Sequence, residues 1–208
     1  MARRGLFITF EGPEGSGKTT HSRLLCDFLR RKGFKVLHAR EPGGTYVSEK
    51  IRRILLDPRN KDMGVVCEML LYMAARAQIM EQKILPALKK GRIVVCDRFV
   101  DATLVYQGYA GGLDLKLIRD IARVATRRIL PGLTFLLDID VKKGLLRSGK
   151  VKDRIERKSL TYHKKVRKGY LAIARKEPGR VKVVSALSDV ARNQDKVRRI
   201  ALRFLRRS

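Results

Sequence analysis

The sequence predicts an α/β fold in three layers, α/β/α, with a five-stranded parallel sheet between two sets of helices. Three observations predict it. Short apolar runs of strand length alternate with longer stretches of helical periodicity from one end of the chain to the other. The first run breaks into Glu11-Gly12-Pro13-Glu14-Gly15-Ser16-Gly17-Lys18-Thr19-Thr20, where Gly12, Gly17, Lys18 and Thr19 fill the G-x-x-x-x-G-K-[ST] spacing of a P-loop. Polar clusters also stand directly after strand-like runs, at residues 40–45 and at Asp97-Arg98, where ligands sit in parallel sheets.

Residues 6–10 read as a buried strand. Residues 20–32 read as a helix with Leu24, Leu25, Phe28 and Leu29 on one face, closed by Gly33. A second strand covers 35–39, and Pro42, Gly43 and Gly44 make a loop of residues 40–45. Val47, Ile51, Ile54 and Leu55 mark a short helix that ends at Asp57-Pro58. The longest helical stretch runs over 65–90, with Leu70, Leu71, Met73, Ala74 and Ala77 on its apolar side; Pro86 kinks it or opens a new segment. Residues 92–96 form a third strand. A helix then runs through Thr103, Tyr106 and Gln107 to a glycine break at 108–112, and another covers 115–130. The fourth strand spans 133–138. Residues 142–154, dense in Lys and Arg, read as a short helix and a mobile loop, the basic lid of the fold. Helix returns over 155–175, a fifth strand spans 181–184, and a terminal helix over 189–207 turns Val197, Ile200, Ala201, Phe204 and Leu205 inward.

At 208 residues, with 44% hydrophobic and 33% charged content, the chain suits one globular domain over 1–208 rather than a disordered one. Glu11 cuts the first apolar run far short of a signal-peptide core, and no segment approaches membrane-spanning length. Cys26, Cys67 and Cys96 are isolated and lie in apolar surroundings, as reduced core or near-core residues of a cytoplasmic protein do. The net charge of +28 admits two readings, attraction to polyanions or a general basic bias, and does not choose between them.

The chemistry concentrates at the strand ends. Glycines let a loop bring its N–H groups to a phosphate, and the next helix points its positive dipole end at the same anion. Lys18 would reach the β- and γ-phosphates of ATP and the Thr19 hydroxyl would ligate Mg²⁺. Asp97, directly after a strand, suits a water-mediated hold on Mg²⁺, and Arg98 suits a fork onto a second phosphate; the alternative is a structural pair capping the next helix. Tyr72 and Arg76 share a helix face, either to stack on a base and read its carbonyl or as a core tyrosine beside a surface arginine. Arg147, Lys150, Lys152 and Arg154 form a cluster that is either a solvated face or a closing lid that excludes water and meets the charge on the transferring group.

The chain resembles the bacterial-type thymidylate kinases over nearly its full length. The matching blocks are Phe10-Glu11-Gly12 with the P-loop, Arg40-Glu41-Pro42-Gly43-Gly44-Thr45, Ala75-Arg76, Asp97-Arg98-Phe99, Tyr106-Gln107-Gly108, Asp153-Arg154-Ile155-Glu156 and Val166-Arg167-Lys168-Gly169-Tyr170. The resemblance implies ATP- and Mg²⁺-dependent phosphorylation of dTMP to dTDP on the way to dTTP, and a homodimer. It implies that Arg98 holds the dTMP phosphate, Asp97 the metal–water shell, and Arg40 and Glu41 order the acceptor site. Tyr72 takes the thymine-stacking position and Arg76 the one that reads the thymine carbonyl. Thr103 and Tyr106 border the sugar with Gln107 beside them, and Glu14 stands where an acid approaches the 3′-hydroxyl. With no basic residue in the loop before Lys18, the resemblance places the catalytic lid cation at Arg154 or Arg147. Lys158 stands where the family often has a second acid.

The rival readings are a kinase for another nucleoside monophosphate or for a deoxynucleoside, and a P-loop ATPase that binds nucleic acid. The latter would dock through Arg192, Lys196, Arg198, Arg199, Arg203, Arg206 and Arg207 of the terminal helix. Those residues share their helix with an apolar stripe, so nucleic acid is not a required partner.

Overall fold

Strands β1 (Leu6–Glu11), β2 (Val36–Arg40), β3 (Ile93–Asp97), β4 (Leu133–Asp138) and β5 (Val181–Ser185) are all parallel and lie side by side in the order β2-β3-β1-β4-β5. The computed structural model describes residues 5–149, 152–187 and 189–207, with the side chain of residue 207 left aside. Lys150 of the basic cluster lies outside the described residues. The helices are α1 (Lys18–Arg31), α2 (Tyr46–Leu56), α3 (Val65–Ile79), α4 (Leu85–Lys89), α5 (Val100–Thr103), α6 (Leu115–Ala125), α7 (Val141–Arg147), α8 (Leu160–Lys176) and α9 (Val190–Arg207).

Strand alternation divides the core in two. Phe7, Val94, Cys96 and Leu136 face α3, α6 and α8, while Ile8, Phe10, Val95, Phe135 and Leu137 face α1 and α9. Both faces of the sheet are thus covered, which is why its central strands β1, β3 and β4 are largely apolar, while the edge strands β2 and β5 are only partly buried.

Four helical expectations need correction. The 65–90 stretch is not one helix: it passes through a π-helical turn, Met80–Ile84, before α4. Pro86, which has no N–H to give the regular ladder, is the second residue of α4 and so opens a new segment, one of the two outcomes expected of it. Its inward face also differs, since α3 buries Glu68, Met69, Met73, Ala75, Arg76 and Ile79, while Ala74 is exposed and Leu70 is 49% exposed. The helix after β3 is a single turn that widens into a π-helical segment, Leu104–Ala110. The helix over 115–130 stops at Ala125, because Arg127 and Arg128 turn the chain at φ +52° and +61°. That over 155–175 starts only at Leu160, where the Ser159 hydroxyl caps it by accepting from Tyr162 N at 3.2 Å. Cys26 and Cys96 are buried, but Cys67 is exposed on α3.

Candidate active site

Strand register brings the polar clusters together. Asp97 is level with Phe10 on one side and with Arg40 on the other, so Glu11, Arg98 and Glu41 leave the sheet side by side. Backbone bonds fix them there: Arg98 N donates to Phe10 O and Glu41 N to Asp97 O, each at 2.9 Å.

The loop between β1 and α1 is shaped for an anion. Gly17, in the left-handed region, precedes α1 with no side-chain cap and no acid in the first turn, which leaves the helix N–H groups for a phosphate. Lys18 is 7% exposed and donates to Gly12 O at 3.1 Å and Pro13 O at 2.8 Å. Burial, reinforced by the nearby Arg98 charge, lowers its pKa to about 8. Ser16 of the loop is buried, and Thr20 is exposed on α1. The Thr19 hydroxyl donates to the Asp97 carboxylate. Among the described residues no group of three or more His, Cys, Asp or Glu forms a metal cage. Hard oxygens from one hydroxyl and one carboxylate instead fit Mg²⁺, which keeps most of its shell as water and phosphate.

Next to the loop opens a cleft. Glu14, Glu41, Tyr72, Arg98, Thr103, Tyr106 and Gln107, all expected at the acceptor, line it. Arg98 Nη2 donates to both Glu14 oxygens at 2.8 Å, and Tyr106 Oη donates to Glu14 at 2.7 Å. Burial alone would raise the Glu14 pKa, but the Arg98 and Lys18 charges override it and hold it at about 2. Of the other three expected acceptor residues, Arg76 and Glu11 are buried behind the wall and Arg40 is half-buried at its side. Arg76, 2% exposed, is no surface arginine: its guanidinium bonds Glu41 at 2.7 Å, Thr103 Oγ1 at 3.0 Å and Phe99 O at 3.0 Å. Arg40 is paired with Glu49 at 2.6 Å, beside the loop turn that Gly44 N makes to the same carboxylate. Glu11 is 1% exposed, and burial pushes its carboxyl up to about 8.

The lid residues part company. Gly144 lets α7 rest on the phosphate loop, since a Cβ there would lie 2.4 Å from Glu14 O. At the end of α7, Arg147 donates to Ala186 O at 3.0 Å, just beyond β5. Arg154 turns the other way and is 6% exposed. It donates to Leu55 O at 2.7 Å and pairs with Glu68 at 2.6 Å, and its backbone N reaches Leu56 O at 3.1 Å. These bonds run to α2 and α3, not to the phosphate loop. Lys158 joins the same buried Glu68 at 3.3 Å, which accounts for a lysine at that position. Gln107 donates to Glu68 from the third side at 2.7 Å.

Sequence reading misses Arg52, which lines the cleft and donates to Pro42 O at 3.0 Å. Its four-residue spacing from Ser48, which is buried, is a usable signal. Asp153 and Ile155 also line the cleft, although the sequence marks them only as part of a motif.

The chain matches the family profile described as "Thymidylate kinase" over residues 10–197. It is similar to the thymidylate kinase of Symbiobacterium thermophilum, at 48% identity over 97% of this chain and 95% of that protein. It is also similar to that of Geobacter sp. (strain M21), at 50% identity over 89% and 86%. Among solved structures, the thymidylate kinase of Ehrlichia chaffeensis superposes with a TM-score of 0.78 at 32% identity, covering 96% of this chain and 99% of that one. Family profile, relatives and solved structure agree, and the chain belongs to the thymidylate kinase family.

Proposed function

We propose that this protein transfers the γ-phosphoryl group of ATP to dTMP, giving dTDP, by direct in-line attack of an acceptor phosphate oxygen. The observation that carries the reading is the register of Phe10, Asp97 and Arg40, which sets a phosphate loop and a cation-bearing cleft side by side. The attacking oxygen is already anionic, so no protein nucleophile or strong base is needed, and catalysis is positioning plus charge stabilisation.

Lys18 and the α1 N–H groups hold the donor phosphates, and Arg98 holds the acceptor phosphate in exchange for Glu14. Thr19 and Asp97 would hold Mg²⁺, which supplies charge neutralisation across the donor phosphates. Tyr72 offers its ring to the base, with Arg76 ordering Glu41 and Thr103 around it. Tyr106 stands against the sugar. We assign residues 142–154 as the lid of a single domain over 1–208. Within it, we assign the transfer step to Arg147, which ends the helix that rests on the phosphate loop, and an anchoring role to Arg154.

A homodimer fits the outer side of α3, where Val66 and Leu70, one turn apart, are 51% and 49% exposed. It also fits neighbouring α6, where Leu117 and Val124 are 47% and 78% exposed. A second copy of the chain would cover these apolar groups. Among the described residues no helix is long and apolar enough to cross a membrane, and we place the protein in the cytoplasm.

The test is coupled ADP release with ATP and Mg²⁺, offering dTMP, dUMP, UMP, dCMP and RNA separately to the wild type and Arg98→Ala. Turnover with dTMP that is weak with UMP and lost in Arg98→Ala is expected. Turnover stimulated by RNA and indifferent to every monophosphate would overturn the reading.

A further inference from the structure

Arg98 has two ends with different company. Nη2 faces the cleft and Glu14, whereas Nη1 points inward and donates to Gly12 O and to Tyr170 Oη, both at 3.2 Å. Tyr170 donates in turn to Glu11 Oε2 at 2.9 Å, and Glu11 Oε1 accepts from Phe99 N at 2.7 Å. Tyr170 and Glu11 are 2% and 1% exposed, so neither meets the substrate. We propose that Tyr170, oriented by Glu11, is a positioning residue that aims Arg98 at the acceptor phosphate. This inference rests on the proposed role of Arg98 as the residue that holds that phosphate.

Three physical points support it. A phenol has one proton to give, and Tyr170 gives it to Glu11, so the lone pairs left on its oxygen face the guanidinium. Both acceptors on Nη1 are neutral, a backbone carbonyl and a phenol. They fix its direction without quenching its charge, while the Glu11 carboxyl stays one bond further away. Arg98 also holds a left-handed backbone, φ +67°, costly for a residue with a side chain and kept only where surrounding bonds over-determine it.

The sequence prepares this contact at Gly169. A Cβ there would lie 2.8 Å from Tyr109 Cβ, so only glycine lets α8 close onto the 104–110 segment and seat Tyr170 beneath Arg98. The Tyr170 ring then meets Tyr106 edge-on at 6.2 Å, and the Arg98 guanidinium lies 5.0 Å from the Tyr106 ring.

The experiment compares calorimetric affinities for dTMP and for thymidine, which lacks the phosphate, in wild type, Tyr170→Phe, Arg98→Ala and the double variant. Tyr170→Phe is expected to weaken dTMP about tenfold, the worth of one hydrogen bond to a charged group. It should leave thymidine unchanged and add nothing in the Arg98→Ala background. Arg98→Ala must itself weaken dTMP and spare thymidine; if it does not, the acceptor-site reading fails, whatever Tyr170 does. Given that result, the inference is overturned by wild-type dTMP affinity in Tyr170→Phe. Equal loss of both ligands, or the full loss persisting in the double variant, overturns it too. Should Tyr170→Phe not fold by circular dichroism, Glu11→Gln, which keeps the shape, takes its place in the same comparison with the same expectations.

Discussion

Glu14 and Arg98 meet at the mouth of the phosphate loop, one guanidinium nitrogen donating to both carboxylate oxygens at 2.8 Å. Burial opposes the Glu14 charge, yet Arg98 and Lys18 hold its pKa at about 2, against 4.5 for an unperturbed side chain. A depressed carboxylate contributes stability that is present above the unfolded value and lost as pH falls through the folded one. Glu14→Gln should therefore flatten the acid limb between about pH 4.5 and about pH 2 by one proton, about 1.4 kcal/mol per pH unit at most. Urea unfolding at a series of pH values reads this slope, and a variant as steep as wild type would contradict the pairing.

Lys18 makes a second prediction, with the opposite sign of pH. Burial, with Arg98 beside it, brings its pKa to about 8, so the cation that a triphosphate requires is lost above that point. The kcat/KM for ATP should be level near neutrality and fall about tenfold per pH unit beyond about pH 8. Glu11 titrates in the same range, so the control is Glu11→Gln, in which the break should remain. Lys18→Met should lose most activity and show no break.

The buried Glu68 ties three segments together through Arg154, Lys158 and Gln107. Removing one partner of a buried ion pair leaves the other charge uncompensated, so Glu68→Ala should cost about 3–5 kcal/mol of stability. Denaturant titration measures it. Loss of less than about 1 kcal/mol would show that the cluster does not anchor the segment after the lid.

Leu70 is half exposed on the outer face of α3, so Leu70→Glu should leave the folded subunit within about 0.5 kcal/mol of wild type. Placed against its own copy, the carboxylate should split the dimer. Light scattering after size exclusion reads the mass, and a wild type that is monomeric at micromolar concentration would refute the assembly.

Much of this site was legible in the chain. The P-loop spacing, the strand-end position of Asp97-Arg98 and the glycine-rich turn after β2 are local patterns, and they lead to the cleft that Glu14, Glu41 and Arg98 line. Apolar periodicity placed every strand to within a residue or so at each end, since a strand buried on both faces is simply a short apolar run. It failed for the face of α3 because that helix packs two polar side chains, Glu68 and Arg76, inward. No hydrophobic pattern announces a buried charge whose partner lies on another element.

The sequence by itself determined the fold class, the phosphate loop and which residues gather at the carboxyl ends of the strands. These arise from backbone geometry, glycine conformation and side-chain periodicity, all of which act over a few residues. Only the tertiary structure decided that Arg154 turns to Glu68 rather than to the loop, that Arg76 supports the acceptor wall from behind, and that Tyr170 links Glu11 to Arg98. Those partners come from distant segments, and they meet only because the sheet order β2-β3-β1-β4-β5 and the approach of α8 at Gly169 set which buried charges and donors must satisfy one another.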